Sequence, residues 1–116
     1  MDDDSFTLYD LELVVEEING NCTCNMAIGD SVRISGGQFS LPSSKNFCLY
    51  AFQAALPLLP AKQRQNHRHD WMETDSQISC PDPACGLIMD IKRVEKRIFH
   101  HDEVSANKLD HNLASE

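Results

Sequence analysis

The sequence predicts an α+β fold in which one main helix packs on a small, mostly antiparallel sheet. Three segments alternate apolar and polar residues, as half-buried strands do, and one segment rich in Ala, Leu and Phe is typical of a helix. Cysteines in two separate loops add a predicted metal site of the cysteine-knuckle type. The 116 residues suit a single domain at 6–97, between an acidic start at 1–5 and a polar, partner-bound C-terminal tail at 98–116.

The first strand is predicted at residues 6–18. Apolar side chains recur there at every second position and acidic ones fall between them, which indicates one buried and one wetted face. The apolar set is Tyr9, Leu11, Leu13 and Val15, and the acidic set is Asp10, Glu12 and Glu16. Asn19-Gly20-Asn21 then predicts a turn, which residues 22–25 extend.

A short second strand and the main helix follow. Val32 and Ile34 alternate with polar residues, and Gly36-Gly37 ends this strand. The helix is predicted at residues 46–56, with Ser43 or Ser44 as its N-cap. Pro57 ends or kinks it, because proline removes a backbone donor.

The remaining chain contains one more predicted strand. Residues 61–77 are polar and predict a long loop or a short surface helix. Leu87 to Val94 predicts the final strand, with Leu87, Met89 and Ile91 on one face.

The composition restricts the classes of partner. A net charge of −8 disfavours nucleic acid and anionic membranes, since both require a basic protein face. The start is acidic where a secretory signal is basic, and no stretch approaches the roughly 18 apolar residues of a membrane-spanning helix. The predicted compartment is the cytoplasm, where thiols stay reduced.

Five cysteines, in a reducing compartment, point to metal ligands or reactive thiols rather than to disulfides. Cys22 and Cys24 follow the first strand, and Cys80 and Cys85 precede the last. If these two strands pair, the loops meet at one end of the sheet, where four thiolates suit tetrahedral Zn²⁺. The spacings C-x-C and C-x4-C are not the common C-x2-C, so ordinary reduced cysteines remain one alternative and an iron or iron–sulfur centre another.

Three further residue types are weaker candidates. Cys48 lies within the predicted helix, where core packing is favoured and metal ligation is the alternative. His67 and His69 would share one face of a strand, but their polar neighbours favour an exposed loop. Asp82, in the second cysteine loop, is expected to accept backbone N–H bonds.

Several short motifs resemble an uncharacterised family of short prokaryotic proteins that is known by a catalogue number and not by a function. The resemblance spans Leu8 to Glu95 and implies that Cys24, Cys48 and Cys80 are the family-type cysteines. Cys22 and Cys85 would then be additions in this chain, in competition with the four-ligand set above. The motifs are Ile28-Gly29-Asp30-Ser31-Val32, Phe47-Cys48-Leu49-Tyr50-Ala51, Pro57 to Pro60, Trp71, Cys80-Pro81-Asp82-Pro83 and Ile91-Lys92-Arg93-Val94.

The favoured function is a zinc-stabilised, non-catalytic accessory subunit or interaction module of a larger cytoplasmic enzyme. Its host is a carboxylase or decarboxylase, or an oxidoreductase, and its expected partner is a larger protein subunit. The alternatives are a small zinc- or thiol-dependent enzyme and an iron–sulfur or thiol redox carrier. The sequence contains no phosphate loop, nucleophile elbow or HExxH helix, so it predicts no catalytic residue and no small-molecule substrate.

Overall fold

Five strands form one antiparallel sheet in the computed structural model, which describes residues 3–42 and 45–109. Their spatial order is β3-β2-β1-β5-β4, so the first and last long strands lie side by side. The predicted α+β class is therefore confirmed. The strands are β1 (Ser5–Ile18), β2 (Ser31–Ser35), β3 (Gln38–Ser40), β4 (Gln77–Ser79) and β5 (Leu87–His100).

The helices are short, and the longest begins later than predicted. Helix α1 starts at Leu49 and not at residue 46, with Cys48 as its N-cap; the predicted caps Ser43 and Ser44 lie outside the described residues. Pro57 lies in a 3-10 turn directly after α1, so the prediction that it ends the helix is confirmed. The helices are α1 (Leu49–Ala55), α2 (Leu59–Lys62), α3 (Trp71–Thr74) and α4 (His101–Val104). Within the described ranges, none of them has the length and apolarity to cross a membrane.

The core lies between one face of the sheet and the α1–α2 segment. Alternate residues of the three central strands are buried there, and the two alanines Ala51 and Ala55 of α1 are fully buried against them. Burial of this apolar surface is the main force that holds the helix on the sheet. The strand residues in this core are Leu11, Leu13, Val15, Val32, Ile34, Leu87, Met89 and Ile91.

The β1–β5 pair is the centre of the fold. Its register runs from Ser5 opposite His100 to Ile18 opposite Leu87, with irregularities after Asp10 and Val15. The last strand is therefore longer than predicted, because it continues past Val94. The short edge strands β3 and β4 were not predicted.

Asp10 departs from its predicted exposure. Its side chain is 1% exposed, beneath two arginines that reach it from neighbouring strands. Arg97 Nε donates to Asp10 at 2.7 Å, while Arg33 and the Ser35 hydroxyl each donate at 3.1 Å. Burial raises the pKa of Asp10, but these hydrogen bonds outweigh it and leave the pKa below its usual value.

Candidate metal centre

The pairing of β1 with β5 brings the two cysteine loops together. The ladder continues past the strand ends through Asn19 N–H to Gly86 O at 2.9 Å and Asn21 N–H to Ala84 O at 3.0 Å. The loop that carries Cys22 and Cys24 therefore runs directly beside the loop that carries Cys80 and Cys85. The sequence analysis required the first and last long strands to pair if the two loops were to meet, and this pairing is confirmed.

Two glycines permit this close approach. A Cβ added to Gly20 would collide with the Ala84 carbonyl oxygen and come within 2.8 Å of the Cys85 carbonyl oxygen. A Cβ added to Gly86 would lie 2.7 Å from the Gly20 nitrogen, and Gly86 also has φ +65°. Glycine is required at both positions, because any side chain would push the two loops apart.

All five cysteines line one surface pocket of about 300 Å³. They come from three places in the chain: the loop after β1, the start of α1 and the loop before β5. Their exposure differs, since Cys24 is exposed, Cys22 is half-buried, and Cys48, Cys80 and Cys85 are buried. The other lining residues are Thr23, Tyr50, Pro81 and Asp82.

Cys48 lies both in the apolar core and on the wall of the pocket. Only 8% of it is exposed and it belongs to the apolar core, as predicted, yet it also lines the pocket. Its position results from the late start of α1, which makes Cys48 the N-cap and brings it to the end of the helix that faces the loops. Tyr50, which the sequence did not mark as a site residue, lies two positions further along and also lines the pocket.

Neighbouring thiols in the pocket shift one another's pKa. A hydrogen bond between the side chains of Cys24 and Cys48 raises the pKa of Cys24. Burial raises the pKa of Cys48, but hydrogen bonds from the Ala51 N–H, the Cys24 thiol and the Tyr50 N–H outweigh it and lower that pKa. Burial, with the neighbouring Cys22 thiol, raises the pKa of Cys85 to about 11.

The spacing of the sulfur atoms is wider than that of a formed metal site. Tetrahedral zinc with Zn–S bonds of about 2.3 Å places its sulfurs about 3.8 Å apart. In the described part of the chain, a mutual spacing of 4.8 Å or less among three potential ligand atoms occurs at Asp3, Asp4 and His100, and not among the cysteines. The structure therefore shows five neighbouring cysteines, which would have to draw together around an ion.

The remaining candidate residues lie where the sequence predicted. Asp82 Oδ1 accepts the Ala84 N–H at 3.0 Å, which folds the second cysteine loop back on itself. His67 and His69 are exposed, with ring centroids 5.3 Å apart, and neither lines the cysteine pocket. The pocket thus offers thiolates and one carboxylate as potential ligands.

No known protein family, curated protein or solved structure matches this chain. Sulfur donors dominate the pocket, and such donor sets favour Zn²⁺, Cu⁺ or iron–sulfur centres over Mg²⁺ or Ca²⁺.

Proposed function

We propose that this protein binds one Zn²⁺ through Cys22, Cys24, Cys80 and Cys85, with Cys48 as the alternative ligand. We further propose that it serves as an accessory subunit or interaction module of a larger cytoplasmic enzyme, with a carboxylase or decarboxylase, or an oxidoreductase, as host. One observation carries the metal proposal: every cysteine of the chain lines the same pocket, although up to 63 positions separate them along the sequence.

The residue types fit zinc better than they fit a harder ion. Thiolate ligands suit Zn²⁺ in a closed tetrahedral site, and the buried Cys80 and Cys85 would be shielded from water there. The positive ion would also compensate the charge of each buried thiolate, which burial otherwise disfavours. Small movements of the exposed Cys24 loop would supply the contraction that four Zn–S bonds require.

Exposed apolar side chains beside the pocket support a role in docking. Leu49 is 70% exposed and Tyr50 is 64% exposed, although both lie on the first turn of α1. Tyr50 also lines the pocket, so a partner that bound this turn would cover the metal as well. An interaction module stabilised by zinc would account for both the cysteine pocket and the exposed apolar turn of α1.

Elemental analysis of protein purified under reducing conditions tests the metal. We expect about one zinc per chain, together with a lower melting temperature after treatment with a strong chelator, because structural zinc binding energy is folding energy. Cys24→Ser and Cys80→Ser should each lose the zinc and the folded state. Thr23→Ala is the matched control, since Thr23 lines the same pocket without a thiol and should retain the zinc.

The same series distinguishes the two ligand sets. Loss of zinc in Cys22→Ser and Cys85→Ser, with zinc retained in Cys48→Ser, supports the set proposed here, whereas the opposite result selects the set that includes Cys48. Visible absorption after anaerobic purification would indicate an iron–sulfur centre instead. A reduced protein that contains no metal, and whose melting temperature does not respond to chelator, would contradict the proposal.

A further inference from the structure

We infer that residues 94–98 of β5 form a self-association surface, through which two copies of this chain pair as antiparallel strands of one continuous sheet. We call this surface the β5 edge. It lies toward the end of β5 at which His100 pairs with Ser5, whereas the cysteine loops adjoin the other end, where Leu87 pairs with Ile18. Pairing of this kind needs no metal, so it is independent of the proposed zinc site.

The sheet leaves one side of β5 open over these residues. β5 has β1 on one side and β4 on the other, but β4 pairs only with Ile88, Met89 and Asp90. The Ser76 carbonyl then accepts the Ile91 N–H at 2.8 Å on the same side. From residue 94 to residue 100, the described part of the chain gives β5 no backbone partner there. Such an edge offers free N–H and C=O groups to another strand.

The backbone of Lys96 points toward this open side. Tyr9, which lies opposite Lys96, donates its N–H at 2.8 Å to the Gln63 carbonyl and therefore directs it away from β5. In an antiparallel ladder, both residues of such a pair turn their N–H and C=O groups away from each other. Every second residue of a strand repeats this orientation, so Ile98 also presents its backbone groups on the open side.

Exposed apolar side chains accompany these backbone groups. Ile98 is 69% exposed and Val94 is 42% exposed. The sheet is also narrow here, because β2 pairs with β1 only from Leu11 to Val14, which leaves β1 and β5 as a two-stranded ribbon. Two strands alone are marginally stable in water, whereas additional strands stabilise them. A second copy would supply its own β5 and β1 and so extend the ribbon to four strands.

The side chains of the β5 edge are complementary to those of a second copy. When two β5 strands pair about a two-fold axis at Lys96, Glu95 of each copy lies opposite Arg97 of the other, and Val94 lies opposite Ile98. Opposite charges and apolar side chains directly across an antiparallel pair are stabilising, and the symmetry makes each contact occur twice. Glu95 and Arg97 are 52% and 46% exposed, so both are accessible to a second copy.

Other registers fit less well. An axis at Glu95 or at Arg97 would place two like charges directly opposite each other, which is destabilising. An axis at Ile98 would carry the pairing of Glu95 into α4, which begins at His101. The register at Lys96 contains one like-charged contact, between the two Lys96 side chains, but their long stems let the ammonium groups separate into solvent.

The regular seam between the two copies is short. Asp10 pairs with Glu95 and Leu11 with Arg93, so Val94 is a bulge residue at which β5 bends and the seam ends. Five residues from each copy form a smaller contact than a standard protein interface. We therefore expect a weak dimer, with a dissociation constant of about 10–100 µM.

Sedimentation velocity of the full chain under reducing conditions, at about 1–500 µM, tests the inference. We expect the 13.1 kDa monomer to convert into a dimer as the concentration rises. Lys96→Pro removes an N–H that β1 does not use, so the variant should stay folded while its dissociation constant rises by about tenfold or more. Glu95→Arg leaves the backbone intact and should have a similar effect, because it sets a positive charge opposite Arg97 of the other copy.

Two control variants separate the β5 edge from general changes of charge. Glu17→Arg makes the same charge change at an exposed position of β1 and should not alter the dissociation constant. Lys96→Ala removes only the like-charged contact and should dimerise at least as tightly as the wild type. Circular dichroism reports whether each variant is folded, and Glu95→Arg decides the outcome if Lys96→Pro unfolds.

Three results would overturn the inference. The first is a wild type that remains monomeric over the whole concentration range. The second is a dimer that Glu95→Arg and Glu17→Arg weaken equally or not at all, since the copies would then meet through another surface. The third is a dimer that Lys96→Ala weakens, because the two-fold axis would then not lie at Lys96.

Discussion

At the scale of single residues, glycine decides how closely the two cysteine loops can lie. Gly20 and Gly86 face each other across the extension of the β1–β5 ladder. At each position a methyl group would clash with backbone atoms of the opposite loop. Backbone atoms cannot rotate away as the end of a flexible side chain can. The loops can therefore respond to a larger residue only by separating.

Gly20→Ala is predicted to destabilise the fold by about 1–3 kcal/mol, because its methyl group must displace the Ala84 and Cys85 carbonyl oxygens. Urea denaturation, with and without added zinc, measures the change, and the variant should also bind zinc more weakly. Gly37→Ala is the control, since nothing lies within 4 Å of its added Cβ, and its change should stay within about 0.5 kcal/mol. Equal effects of the two substitutions would contradict this account of the loops.

The sequence predicted the surroundings of individual residues to different extents. Cys22, Cys24, Cys80 and Cys85 could be placed together, because a single assumption about strand pairing makes their loops meet. The burial of Asp10 could not be predicted in this way. Its partners Arg33 and Arg97 lie 23 and 87 positions away, and nothing local distinguishes Asp10 from the exposed acids beside it.

At the scale of elements, α1 lies close to the sheet because its inward residues are small. Ala51 and Ala55 are both fully buried, and neither leaves room for a longer side chain between helix and sheet. Cys48, directly before this helix, lines the pocket. The first turn of α1 therefore connects core packing with the proposed site.

Ala51→Leu is predicted to cost about 1–3 kcal/mol of stability, because three extra carbon atoms must enter a filled core. Gln53→Leu adds an apolar side chain to an exposed position of the same helix and should change stability by less than about 0.5 kcal/mol. Thermal unfolding of both variants gives the comparison. Similar melting temperatures would show that α1 is not packed as described.

Elements differed in how far the sequence could predict them. The long period-two pattern was sufficient to predict β1, and Pro57 was sufficient to predict the end of α1. By contrast, β3 and β4 have three residues each, too few for a periodic pattern, and they exist because longer strands offer them an edge. The helix began late because Cys48 takes an extended backbone conformation, which no residue preference near position 46 indicates.

At the scale of the whole molecule, ion pairs tie distant segments to the central ladder. Glu73 on α3 accepts hydrogen bonds from Arg93 on β5 at 2.6 and 3.0 Å, and from the Asn66 N–H at 2.9 Å. The Arg93 side chain, followed by the Asn66 N–H, lowers the pKa of Glu73 from 4.5 to about 2. Arg93 also lies over the Tyr9 ring, 4.4 Å from its centroid, so one residue joins α3, β5 and β1.

The folded state is predicted to lose stability as the pH falls from about 4.5 to about 2, because Glu73 is ionised in the folded chain over this range and protonated in the unfolded one. The contribution of ionised Glu73 to the free energy of unfolding is fully present above about pH 4.5. Glu73→Gln should therefore be less stable than the wild type at neutral pH and show a flatter acid dependence of its unfolding free energy.

Glu17→Gln is the control and should keep the wild-type acid dependence. Exposed Glu17 accepts a 3.3 Å hydrogen bond from the Asn19 side-chain amide, and a glutamine oxygen can accept the same bond. An unchanged acid slope in Glu73→Gln would refute the assignment.

The pairing of β1 with β5 has a consequence during synthesis. Ser5 pairs with His100, so β1 must wait until β5 has left the ribosome before the centre of the sheet can form. At about 5–20 residues per second, that interval is roughly 5–20 s. Throughout it the apolar face of β1, with Leu11, Leu13 and Val15, has no β5 beside it. The nascent chain therefore leaves this apolar face without its neighbouring strand for longer than a chain whose central strands follow each other in sequence.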